Sequence, residues 1–149
     1  PVIGVTHSLG GILVRHMRDM LDWKGLVMLA PPNNGSSVAA KLRNNRLFQQ
    51  FYGPAGIDVA RAEGWPEPPG PFAVIAGTKS FAWRNPTSWM TRGLRLFPPD
   101  VANDGTLRVD ETHHPSMCSF ATVDASHTWI MNHPRTHELV LRFLNQRRL

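Results

Sequence analysis

The chain has 149 residues, 42% of them hydrophobic, enough for one globular domain with a real core and too few for two ordinary ones. Its formal charge of +5 comes from scattered arginines, apart from Arg142, Arg147 and Arg148, which suit the last turns of a helix. No basic cluster interleaved with aromatics points to nucleic acid, no apolar run reaches the length of a membrane span, and the lone Cys118 rules out an internal disulfide and reads as a small apolar residue.

The first element is Val2-Ile3-Gly4-Val5, an apolar run of the kind found in a parallel strand covered on both faces. From Ile12 the pattern turns helical, with Ile12, Leu13, Met17, Met20 and Leu21 on one face. Between them, Thr6-His7-Ser8-Leu9-Gly10 matches the strained strand-to-helix turn that lifts a serine to its apex, except that Thr6 stands where glycine is usual. Ser8 is therefore the candidate nucleophile, and the free N–H of Leu9 at the start of the helix is a candidate oxyanion donor. Pro1 lies directly inside a core-type strand, so a further N-terminal portion is expected.

A second buried strand, Leu26 to Ala30, completes a βαβ unit. Turn chemistry follows in Pro31-Pro32-Asn33-Asn34-Gly35-Ser36-Ser37, and Ser36 or Ser37 can cap a helix carrying Val38, Ala39, Leu42, Leu47, Phe48 and Phe51. Residues 53–71, rich in proline and glycine, read as an ordered surface loop with Trp65 in it. The third strand is Phe72 to Ala76. Residues 79–103 are irregular or briefly helical and hold Phe81, Trp83, Trp89, Met90, Leu94, Leu96 and Phe97. This stretch could line an acyl pocket, touch a lipid surface, or form a satellite cluster under a long loop. Then come the turn and alternating residues of 103–109, a strand over Phe120 to Val123, and a terminal helix with Pro134 in its first turn and Leu139, Val140, Phe143 and Leu144 on one face. The order of elements predicts an α/β domain over 1–149, a mostly parallel sheet with flanking helices, in which 36–71 and 79–103 are cap or pocket-lining segments.

A serine at such a turn needs a base, and the base needs an acid to fix its tautomer. Ser8, Asp104 and His127 occur in the chain order serine, acid, histidine, each after its own strand, so all three are expected at one edge of the sheet. Asp100 is the nearest rival for the acid. Asp110, Glu111 and Asp124 are expected to be solvated surface carboxylates, and His113 and His114 to sit in a polar loop. His133 and His137 have helical spacing but no third nearby ligand, so no metal site is expected.

Four pieces, Val5-Thr6-His7-Ser8-Leu9-Gly10-Gly11, Leu29-Ala30-Pro31-Pro32-Asn33-Asn34-Gly35-Ser36, Asn103-Asp104-Gly105-Thr106-Leu107-Arg108-Val109 and His127-Thr128-Trp129-Ile130-Met131 with Pro134, resemble the α/β-hydrolase superfamily. Within it they are similar to lipase-like esterases akin to bacterial triacylglycerol lipases and the GPI inositol-deacylases. The resemblance implies Ser8 as nucleophile, Asp104 as acid, His127 as base and the Leu9 N–H as oxyanion donor. It also implies that the C-terminal half of the fold is present, with the second oxyanion donor upstream. The substrate is then an ester or lipid, His7, Trp83 and Trp89 are candidate substrate-binding residues, and no cofactor is required. Peripheral contact with a lipid surface and self-association through an open sheet edge are expected. Acyl transfer by the same residues, or a noncatalytic hydrolase-fold module, are the alternatives.

Overall fold

The computed structural model describes residues 1–42, 44, 64–147 and 149. The predicted continuation of the second helix through Leu47, Phe48 and Phe51, and the part of the proline-rich loop before Gly64, lie outside them. Among the described residues four strands, β1 (Val2–His7), β2 (Trp23–Leu29), β3 (Phe72–Gly77) and β4 (Ser119–Val123), form one parallel sheet in the order β1-β2-β3-β4. Among the described residues the α-helices are α1 (Gly10–His16), α2 (Ser37–Leu42), α3 (Pro86–Gly93) and α4 (Pro134–Gln146). The α/β fold is thus the expected one.

Strand periodicity divides the core. Val27, Leu29, Ala73, Ile75 and Val123 pack on one face against Ile130, Leu139 and Phe143, so the apolar stripe of α4 covers this side. Leu26, Met28, Phe72 and Val74 point the other way, toward Val14 of α1 and toward Met117 and Phe120. β2 and β3 are covered on both faces, which is why they read as continuous apolar runs. A separate cluster joins Val38, Ala39 and Leu42 of α2 to Met90, Leu96 and Phe97, the satellite arrangement considered for 79–103. Ser36, whose hydroxyl accepts from the Ala39 N–H at 3.2 Å, caps α2.

Several expectations are corrected. β1 does lie at an open sheet edge, as expected, paired with β2 among the described residues, but Val2, Ile3 and Val5 are exposed rather than covered on both faces, Val5 by 50%. α1 stops at His16, where the Met17 N–H turns back to the Val14 carbonyl, and the Trp23 indole donates to the Met17 carbonyl at 3.3 Å. Only Ile12 of the predicted face is therefore buried; Leu13, Met17, Met20 and Leu21 are exposed. Residues 103–109 make a single bridge, Asn103 to Arg108, because the Asp104 side chain binds the following backbone and holds it in a turn. Cys118 is exposed, its thiol donating to the Phe72 carbonyl at 3.1 Å.

Gly77 shows how tightly the strand ends are packed. A Cβ there would overlap the Ala125 carbonyl oxygen and lie 2.9 Å from Asp104 Cβ, so no side chain fits between the two loops. Gly77→Ala is expected to lower the free energy of unfolding by about 1–3 kcal/mol, read from a denaturant titration. An unchanged midpoint would show that the loops after β3 and β4 do not meet at this glycine.

Candidate active site

The site is built at the carboxyl ends of the strands. Ser8 follows β1 with φ of 54°, in the left-handed region, which costs a non-glycine residue about 1–2 kcal/mol. Its N–H donates to the Leu29 carbonyl at 2.8 Å and its carbonyl accepts from Gly11 at 3.0 Å, so β2 and α1 hold the turn. The room is tightest at Gly11, where a Cβ would lie 2.6 Å from Met28 Cε and 3.2 Å from Pro31 Cβ, whereas one on Gly10 would make an ordinary contact, 3.7 Å from Thr6 Cβ. Thr6 therefore fits where glycine is usual, at the cost of a buried hydroxyl with no partner among the described residues.

The loops after β3 and β4 bring the other two groups. His127 begins the 3₁₀ helix His127–Asn132, and its Nε2 lies 2.9 Å from Ser8 Oγ. Its Nδ1 lies 2.7 Å from Asp104 Oδ2. A carboxylate only accepts, so the Nδ1 carries the proton and the Nε2 lone pair faces the Ser8 hydroxyl. Asp104, 1% exposed, uses its other oxygen to accept from the N–H groups of Thr106 at 2.9 Å and Leu107 at 2.7 Å. The Asp104 carbonyl accepts from the His127 N–H at 2.9 Å, so backbone and side chain fix the same pairing. Such a chain can take a proton from Ser8 Oγ and stabilise the imidazolium that forms.

His7 faces the same histidine. Its Nε2 donates to the His127 carbonyl at 2.9 Å, and the two rings lie 5.0 Å apart. Burial, and next the neighbouring His127, hold the His7 pKa below its ordinary value. Leu9 precedes α1, and among the described residues its N–H has no hydrogen-bond partner.

Trp83 and Trp89 have no described hydrogen bond or ring contact with Ser8, His127 or Asp104. They form an exposed edge-to-face pair with centroids 5.2 Å apart, beside Phe81, and are 78% and 48% exposed. Between them and the 3₁₀ helix that His127 begins, the Trp129 indole donates to the carbonyl of Arg84, next to Trp83, at 3.2 Å. Asp100 and Asp124 are exposed, and no cluster of potential metal ligands occurs among the described residues.

Three buried groups went unread in the sequence. Glu111, expected at the surface, accepts from the Ser37 N–H at 2.7 Å and the Arg108 N–H at 2.8 Å. With Asn33 donating to the Thr112 carbonyl at 2.9 Å, it ties the turn after β2 to the loop that carries Asp104. Arg15, 4% exposed, reaches from α1 to Asn33 Oδ1 and to the Trp65 and Pro66 carbonyls. His114, expected in a polar loop, is buried against Phe72 with its Nε2 3.7 Å from Glu67. A carboxylate or guanidinium that bridges to groups far along the chain leaves no periodic trace, so only the turn residues around it could have hinted at these roles.

No protein-family model and no curated protein matches the sequence. Among solved structures, the chain is similar to the mature form of the Bacillus licheniformis lipase BlEst2, with 17% identity and a TM-score of 0.61 over 97% of this chain and 64% of that one. The fold is α/β-hydrolase-like. At this identity the likeness speaks for the fold, and the chain spans 64% of the length of that lipase.

Two histidines, the half-buried His7 and the buried His114, set a pH dependence. Burial also lowers the His114 pKa, partly opposed by Glu67. With both values below the ordinary 6.5, the unfolded chain binds protons in that window that the folded chain does not. Their stabilisation is complete above the ordinary value and is lost as pH falls through the folded values. The denaturant midpoint should fall between about pH 7 and about pH 5, and fall less in a His7→Gln/His114→Gln variant. Equal falls in both proteins would contradict this assignment.

Proposed function

We propose that the chain carries the reacting groups of a serine hydrolase of carboxylic esters, lipase- or esterase-like. The observation that carries this reading is the continuous hydrogen-bonded chain from Ser8 Oγ through His127 to Asp104, starting at a serine in a left-handed turn between strand and helix. A structural serine has no need of a strained backbone and a buried carboxylate-bound imidazole together.

In the proposed reaction Ser8 Oγ attacks the ester carbonyl carbon while its proton passes to His127 Nε2. Asp104 holds the imidazolium through Nδ1, and the carbonyl oxygen, now negative, is placed against the Leu9 N–H. Collapse breaks the bond to the alcohol, which leaves with the proton from Nε2. Water, deprotonated by His127, then attacks the acyl-enzyme; the acid departs and Ser8 Oγ regains its proton. His7 acts by fixing the His127 carbonyl. Trp83 and Trp89 offer apolar surface to the acyl chain at the rim.

Hydrolysis of p-nitrophenyl esters by the full-length protein tests the roles. Asp104→Asn should lower kcat by about 10⁴, because an amide favours the wrong tautomer, and Ser8→Ala by about 10⁶. Asp100→Asn should leave the rate unchanged. In the same assay, replacing Trp83 and Trp89 by alanine should lower the ratio of long-chain to short-chain activity. If Asp100→Asn is the more damaging of the two aspartate changes, the acid is misassigned; an active Ser8→Ala protein ends the proposal.

A further inference from the structure

The described residues also enclose a concavity of about 740 Å³, within the range of small-molecule sites. It is formed between α2, α3 and the segment that follows α3. Neither Ser8 nor His127 is among its described lining residues. Its chemistry is divided. Lys41, Arg92 and Arg95 are exposed at its walls, whereas Phe81, Leu96 and Phe97 are half-buried and supply apolar surface.

Two of the cations are held by the wall itself. The Lys41 ammonium donates to the Leu96 carbonyl at 2.9 Å, bridging α2 to the far side. The Arg92 guanidinium lies over the Phe81 ring, 5.1 Å from its centroid. Arg95 stands in the left-handed region, with φ of 50°, just past the end of α3. No acidic side chain is among the described lining residues, and none of the described ion pairs involves these three cations.

We propose that this cavity is a binding site for an anionic amphiphile, its carboxylate or phosphate head on Lys41, Arg92 and Arg95 and its tail against Phe81, Leu96 and Phe97. A neutral amphiphile would gain the apolar contact alone, and a simple anion the charge alone. A cationic amphiphile would meet like charges. Guanidinium groups bind such heads through paired, charge-assisted hydrogen bonds, and restrained cations lose less freedom on binding. The site is independent of the role proposed for Ser8.

Calorimetric titration of the full-length protein with laurate and with dodecyl phosphate, each below its micellar concentration, tests this. At least one should bind, and the tighter one identifies the preferred head. Dodecanol and dodecyltrimethylammonium should bind about tenfold or more weakly, and Arg92→Gln/Arg95→Gln should weaken the anion by about tenfold or more with unchanged circular dichroism. Ser8→Ala should bind as the parent does, whether or not the parent hydrolyses esters. Lys41→Gln gives the deciding result if the double variant does not fold, with the same direction expected. Binding of all four amphiphiles alike, no binding of either anion, or undiminished binding to a folded charge variant would overturn the proposal.

Discussion

The arrangement at the strand ends depends on one strained residue. Ser8 sits in the left-handed region, and its backbone alone turns an extended strand into a helix within two residues while lifting the side chain clear of the sheet. A cost of about 1–2 kcal/mol is sustained because the alternative would break the Ser8 N–H bond to Leu29 and the Gly11 N–H bond to Ser8. It also explains the small residues around it. A side chain at Gly11 would overlap the tip of Met28 in β2 and press on Pro31 in the turn that follows.

Around that turn the loops are braced more than their sequences suggest. Asp104 divides its oxygens between its own turn and His127, so the acid cannot rotate without losing backbone partners. Glu111 and Asn33 join this loop to the turn after β2, and Arg15 joins that turn to α1 and to the Trp65–Pro66 backbone. Each brace uses a charged or amide side chain to satisfy buried backbone groups that no regular ladder reaches. Serine, histidine and aspartate are therefore positioned by the same polar framework that closes the loops.

How much of this was legible follows from the range of the forces. β2, β3 and the apolar stripe of α4 were visible because burial on fixed faces imposes a period on the sequence. Ser8, Asp104 and His127 could be picked out because each follows its own strand, and parallel strands deliver such loops to one edge. The apolar run of β1 records the kind of strand it is, not whether a neighbour covers it, and its exposed Val2, Ile3 and Val5 go with the open edge. α1 ended early because its last carbonyls found partners at short range and at Trp23, which propensity does not record. Glu111, Arg15 and His114 were unreadable for a related reason. Each has at least one partner far along the chain, and a charged residue is by default expected in water.

The central claim is that Ser8 is the nucleophile, and covalent capture addresses it directly. The full-length protein would be treated with a fluorophosphonate and the modified peptide located by tandem mass spectrometry. The account predicts one adduct per chain, on Ser8 Oγ, absent from the Ser8→Ala protein. An adduct on another serine, or labelling that persists without Ser8, would contradict it.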